Sequence, residues 1–476
     1  MNKGTENQGL QGKLGVASIV LMVVATAAPL TVMVASSPLM IMMGNGVAAP
    51  FDVLVATVIM LLFTIGFVAM SKYIDNAGAF YAYIQKGLGR SVGLGAASLA
   101  VISYFLILIA LQAYMGYSIA SATNNLLGIS LPWWVYSLII VGIIAFLGYR
   151  DIELSSKFLS IALILEISVV LVVDAVIFFD KGVTGIEQSA FHISNIISGS
   201  PGLGILFAIF SFIGFESTVI YREEADNPDK TIPRATYISV VSIGIFYVIS
   251  IWLFVSGIGE ENLTSYAELH GTDIYLALTE QYMGIVFMDL MHVLLITSLF
   301  ACALSLHNIV VRYKYTLGRF GLISKKFYSV HEKYRSPHYS SFFLSVISVV
   351  SFVFLIAIQA DPVTQIYAWG AMSGTLGYMT ILCLTCLAVI SFFMKNRNGE
   401  NKFQVFLAPV LGFLGILTCL SIAVSNLPDL IGGDNAKSVS TLVVALLIAV
   451  FVGGFIAAQT IKVRYPNKYD ALKQLA

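Results

Sequence analysis

Leu206-Phe207-Ala208-Ile209-Phe210-Ser211-Phe212-Ile213-Gly214-Phe215-Glu216-Ser217 is an apolar run interrupted by serine, glycine and a carboxylate. It continues into Glu223-Glu224-Ala225-Asp226-Asn227-Pro228-Asp229-Lys230-Thr231-Ile232-Pro233-Arg234-Ala235, a charged segment punctuated by two prolines. A charged side chain at the centre of a membrane helix costs about 2.5–3.5 kcal/mol even on a lenient insertion scale. Irregular or polar backbone is tolerated at that depth only where it is buried in protein or lines a cavity. The stretch therefore reads as a broken helix around a solute site. A glycine-bearing packing face with one buried acid is the plainer alternative.

The rest of the chain supplies a membrane context. Of its 476 residues, 58% are hydrophobic and 11% charged, and the mean hydropathy is +0.88. Many runs reach the ~20 residues needed to span hydrocarbon. They are continuous rather than alternating, which excludes a porin-type barrel. The net charge is zero, so nothing points to nucleic acid. The expected fold is all-α and polytopic, a single membrane domain over residues 1–476.

Twelve spans are expected, at about 14–43, 50–71, 93–122, 131–149, 154–179, 201–221, 235–257, 285–312, 340–359, 363–394, 404–426 and 438–461. Placing the N-terminus inside assigns 24 of the 26 Lys and Arg to the cytoplasm and leaves only Lys181 and Lys437 outside. By the positive-inside rule both termini are cytoplasmic. The first apolar run is too long for a signal-peptide core. Cys383 and Cys386 have CxxC spacing, but no polar partners flank them, so all four cysteines read as packing residues.

The first span carries a counterpart to the interrupted sixth. In Ala25-Thr26-Ala27-Ala28-Pro29-Leu30-Thr31, Pro29 lacks a backbone donor and clashes with the Ala25 carbonyl, so the helix kinks or breaks. Pro38 and Gly44 weaken it further. The two interruptions lie five spans apart. A repeated five-helix unit must then enter the membrane from opposite sides, giving an inverted repeat. Two interrupted hydrophobic segments at corresponding positions point to a transporter site. The division expected is 14–180 for the first repeat, 201–394 for the second and 404–461 for two additional helices.

These residues resemble the amino-acid permeases of the amino acid–polyamine–organocation superfamily. The segment from Phe210 to Ser217, with Glu223-Glu224, Asn227-Pro228 and Ile232-Pro233-Arg234-Ala235, is similar to that family's sixth helix and following loop. Asn76-Ala77-Gly78-Ala79-Phe80-Tyr81-Ala82-Tyr83 resembles its Gly-rich lead-in to the third helix. Leu306-His307-Asn308 through Arg312 to Arg319-Phe320-Gly321 resembles the end of its eighth. The resemblance implies a LeuT-like five-plus-five inverted repeat with helices 1 and 6 broken. It departs at the first break, where Pro29-Leu30-Thr31 stands in place of the family's Gly-x-Gly turn. Phe210 likewise replaces the Trp that caps the substrate in many relatives.

A zwitterion needs donors for its carboxylate and acceptors for its ammonium, and broken helices expose both. The candidate donors are the N–H groups of Leu30 and Thr31 beside Ala28. The candidate acceptors are the carbonyls from Phe210 to Ile213, through Ser211, with Gly214 and Phe215 completing the substrate set. Embedded acids are candidates for proton coupling or gating: Glu216, Glu166 and Asp289, the last with His292 one turn on. Asp174 is a further embedded acid. Burial disfavours the charged form of a carboxyl, which a proton carrier exploits. The resemblance aligns Glu166 with a lysine that some proton-coupled relatives use in place of sodium, and matches Glu216 to a gating or proton-sensing Glu.

The function expected is secondary active transport of a neutral or cationic amino acid or related amine across the cytoplasmic membrane, by alternating access and coupled to protons. Sodium is the alternative ion. An amino acid/amine exchanger and a transporter-derived nutrient sensor are the alternative functions. The chain is not expected to be an enzyme, because its six histidines gather no nucleophile, base or metal set. No cofactor is expected. The partners are the solute and the bilayer, with the protein a monomer or homodimer. The spans hold essentially no embedded Lys or Arg, which disfavours net-anionic solutes.

Overall fold

The computed structural model describes residues 14–74, 79–150, 156–319, 323–334, 336–396, 399–466 and 469. Asn76, Ala77, Gly78, Phe320 and Gly321 of the motifs above lie outside the described residues. Among the described residues there is no strand. A single isolated bridge pairs Leu14 with Ala225.

The apolar helices, in chain order, are α1 (Val16–Met43), α2 (Ala49–Ser71), α3 (Arg90–Leu127), α4 (Trp133–Tyr149), α5 (Ser156–Lys181) and α6 (Pro201–Phe210). There follow α7 (Pro228–Ile258), α8 (Ile285–Arg319), α9 (His338–Ala357), α10 (Ala368–Lys395), α11 (Ala408–Ile431) and α12 (Ala436–Arg464). Ten apolar stretches are long enough to cross a membrane, and α4 and α6 are shorter. The shortfall from twelve has two causes. The 17 residues of α4 reach only about 26 Å against ~30 Å of hydrocarbon. In contrast, α6 is cut by its own break and resumes as Ser217–Ile220.

Lipid-facing and protein-facing helices separate by burial. In α3 and in the stretch ending with α10 (Pro362–Lys395), 72% of the most apolar window is buried, against 17% in α12. The helices α3 and α10 pack on each other to form the centre, and α12 flanks α3 from outside. The first part of α1 lies against α5, α7 and α8, while α6 lies against α2 and α11.

Two local differences from the expected boundaries have physical reasons. The helix α7 starts at Pro228 rather than near residue 235 and passes through Pro233. Pro228 at the helix start lacks only a donor that would be unpaired anyway, and Pro233 follows closely enough to stay in the opening turns. Within α1, Val32–Ser36 is wound as a π-segment just before Pro38. Pro38 cannot bond the Val34 carbonyl, and the Tyr114 hydroxyl on α3 donates to that oxygen at 3.4 Å.

Candidate solute site between two broken helices

The first part of α1 ends at Ala27, and Ala28 takes the left-handed conformation with φ 50° and ψ 68°. The chain restarts as helix at Pro29, one or two residues earlier than the sequence suggests. Pro is preferred at that first position, where its fixed φ suits the helix and its missing donor costs nothing. Leu30 and Thr31 therefore carry the first N–H groups of the new segment. Val32 already bonds back to the Ala28 carbonyl at 3.2 Å.

In α6 the helix ends at Phe210, residues 211–216 form a turn, and helix resumes at Ser217. Gly214 sits at φ 112°, a conformation that L side chains rarely adopt. A Cβ there would also come within 3.0 Å of Thr26 Cγ2. The two breaks therefore touch, and glycine is what lets them.

A narrow cavity opens beside this contact. The α1 break lines it with Thr26, Ala28 and Thr31, and the α6 break with Phe210, Ile213, Gly214 and Glu216. Its far wall is apolar, made by Ile107 and Leu111 of α3 and by Cys302 and Leu306 of α8. No Lys or Arg is among the lining residues.

Not every residue singled out from sequence reaches this space. Leu30 is buried behind it, and Ser211 turns its hydroxyl back to the Phe207 carbonyl at 3.1 Å. Phe215 points into an aromatic cluster, with ring centroids 5.9 Å from Phe63, 6.1 Å from Phe67 and 6.3 Å from Phe80. Of Phe210, Phe212 and Phe215 only Phe210 lines the cavity, its ring edge-on to Tyr367 at 6.4 Å.

The acids separate in the same way. Glu216 is 2% exposed, and three donors converge on its carboxyl. Tyr104 from α3 bonds Oε1, Tyr378 from α10 bonds Oε2 at 3.1 Å, and the Gly214 N–H bonds Oε2 at 2.9 Å. Glu216 thus pins the break to the central helices. Glu166 stands behind the other break. It accepts from Ser298 Oγ at 2.8 Å, and Thr31 Oγ1 donates in turn to Ser298 at 3.3 Å. A carboxyl of the protein itself is therefore linked through Ser298 to Thr31 at the α1 break.

Asp289 and His292 lie in the opening turns of α8, ten residues or more before Cys302, and so about 15 Å or more from the cavity along the axis. They are not brought to the breaks. His292 instead faces Asp273 in the short turn Gly271–Asp273. Asp174 takes a 2.6 Å hydrogen bond from Ser250 on α7, within the packing of α5 and α7.

Sequence reasoning missed the partners that make these acids specific. Tyr104 and Tyr378 sit 112 and 162 residues from Glu216, on helices that nothing in the sequence pairs with it. Asp52 was also missed, although it is 1% exposed in the first turn of α2.

Comparison with known proteins gives the chain's family. The low-affinity putrescine importer PlaP of Escherichia coli (strain K12) is 21% identical over 378 residues, covering 75% of this chain and 77% of that protein. The branched-chain amino acid permease BcaP of Bacillus subtilis (strain 168) is 25% identical over 215 residues, 44% of this chain and 42% of the relative. An uncharacterized amino-acid permease of Schizosaccharomyces pombe is 25% identical over 226 residues, covering 45% and 37%. The model of the family described as amino acid permease matches residues 18–471. The chain belongs to the amino acid permease family.

Proposed function

We propose that the protein is a secondary transporter that moves a neutral or cationic amino acid, or a related amine, across the cytoplasmic membrane by alternating access with proton coupling. The observation that carries this reading is the contact between the two breaks, Gly214 against Thr26, beside a cavity in a chain of a permease family. In this reading α1 to α5 and α6 to α10 form the two inverted halves, with both termini cytoplasmic. The half-helices of α1 and α6 move against α3 and α8.

The lining favours an ammonium-bearing solute. Glu216 is its one carboxylate, no basic side chain opposes a cation, and Phe210 adds an aromatic ring to the lining. A relative named as a putrescine importer is consistent with that preference.

Glu216 supplies a route for protons to act on the gate. As a carboxylate it accepts from Tyr104, Tyr378 and Gly214 together. Protonated, it must donate one hydrogen bond itself, so at least one hydroxyl must rotate or let go. That couples its proton to the grip of α3 and α10 on the α6 break.

Uptake into proteoliposomes of a panel of labelled amino acids and amines, with and without an imposed pH gradient, tests the reading. Gradient-driven accumulation of an amine or a neutral or cationic amino acid is expected. Uptake that ignores the gradient and requires solute inside would assign exchange instead. No uptake of any member would overturn the reading.

A further inference from the structure

At the end of the bundle opposite Leu14, the link from α1 to α2 meets the start of α6. Asn45 Nδ2 donates to Asp52 Oδ1 at 3.3 Å and to the Ile196 carbonyl at 3.2 Å. The Ile196 carbonyl can only accept, so it fixes which end of the amide faces the carboxyl. Two acceptors then remain, Asn45 Oδ1 and Asp52 Oδ2, both buried and both without a donor. The residues that carry them are 3% and 1% exposed.

The two orphan oxygens approach one point. A methyl group built on Gly204 would collide with Asp52 Oδ2 and lie 3.0 Å from Asn45 Oδ1. The surrounding backbone is already paired: Ser200 N donates to the Gly44 carbonyl at 3.0 Å, and Gly44 N to Met40 at 3.0 Å. An ionised carboxyl facing a second bare oxygen in a buried site is costly. A hydrogen on Asp52 Oδ2, donated to Asn45 Oδ1, would satisfy both oxygens at once and close an acid–amide ring.

We propose that Asp52 and Asn45 form a second proton-binding site, whose occupancy holds the α1–α2 link against the start of α6. The site is separate from the cavity and does not depend on the identity of the solute. The groups facing Asp52 from its neighbours leave little else to set its charge. Asn45 is neutral, Gly204 of α6 has no side chain, and Cys419 of α11 is the titratable neighbour. Asp429 of α11 engages Ser200 and Asn426 farther out at the same junction. A proton needs one donor–acceptor line and no coordination sphere, which suits two oxygens packed against a glycine. With the proton present the junction is closed. Without it, ionised Asp52 seeks water and the junction opens.

Hydrogen–deuterium exchange on the full-length protein in lipid nanodiscs, without any solute, tests this directly. After correction for intrinsic exchange, peptides covering 40–52 and 196–204 should lose protection by up to about tenfold per pH unit once Asp52 ionises, over a scan from about pH 5 to pH 9. Asp52→Asn, whose amide donates permanently to Asn45, should keep them protected throughout. In wild-type protein carrying carbonyl-labelled aspartate, the infrared band of a neutral carboxylic acid should disappear over the same range, which covers the case in which the variant does not fold. Wild-type protection that is flat across the scan would overturn the proposal. So would a pH response unchanged in Asp52→Asn, or protection that follows sodium when choline replaces it.

Discussion

The two breaks are built on opposite physical plans. The α1 break is local. Pro29 removes a donor and Ala28 before it takes a left-handed conformation, both within the run they interrupt. The α6 break is held from a distance. Gly214 permits the turn, but Glu216 keeps it by drawing hydroxyls from α3 and α10 onto itself. One break is strain in the chain, the other a polar clamp between elements. A proton on Glu216 can loosen the α6 clamp, whereas Pro29 itself does not titrate. The proposed proton response is thus assigned to the α6 break, while both half-helices move in the proposed cycle.

Substitutions sharpen that contrast, and the largest effect belongs to the clamp. Glu216→Ala leaves the Tyr104 and Tyr378 hydroxyls and the Gly214 N–H buried without an acceptor, at about 1–3 kcal/mol each. A marked fall in the thermal unfolding midpoint and loss of uptake are expected, while Glu216→Gln should recover most of the midpoint but not gradient-driven accumulation. Gly214→Ala is next, at about 1–3 kcal/mol for the strained φ, with crowding of Thr26 added. Its uptake should fall more than its stability.

Pro29→Ala should run the other way. Relief of the left-handed Ala28 is worth about 1–2 kcal/mol, so the unfolding midpoint is expected to hold or rise while uptake falls. A lower midpoint for Pro29→Ala, with unchanged uptake, would erase the distinction between the two breaks. Tyr378→Phe removes one donor to Glu216 and should cost about 1 kcal/mol by the same thermal assay.

The smallest effect lies outside the membrane. Burial pushes the Asp273 carboxyl above its ordinary value of 3.8, opposed by the 3.0 Å bond from Tyr117. The fold therefore favours the neutral acid. Its contribution to stability is present below 3.8 and is lost as pH rises through the higher folded value. Asp273→Asn should flatten that part of the pH–stability curve.

What was legible in the sequence follows from the same contrast. Pro29 announces its break because the cause is covalent and sits in the run it interrupts. Gly214 and Glu216 announce theirs because neither belongs in an apolar helix. Tyr104 and Tyr378 were silent, since a tyrosine in a membrane run is ordinary until its partner is known. Asp52 was passed over for a related reason. It stands two residues after Pro50 at the start of a span, where an acid reads as a solvated helix end, and only the packing of Gly204 shows it buried. Phe215 was misjudged because spacing does not tell which way a ring leaves a turn.

Cys302 allows the central claim to be measured at the cavity itself. Its thiol donates to the Thr26 carbonyl at 3.5 Å, beside both breaks. With Cys383, Cys386 and Cys419 replaced by alanine, the rate at which a small maleimide alkylates Cys302 can be followed with and without a transported solute. If the loose ends of α1 and α6 hold that solute, saturating concentrations should slow alkylation severalfold, and a non-transported analogue should not. A transported solute that leaves the Cys302 rate unchanged would place the binding site elsewhere.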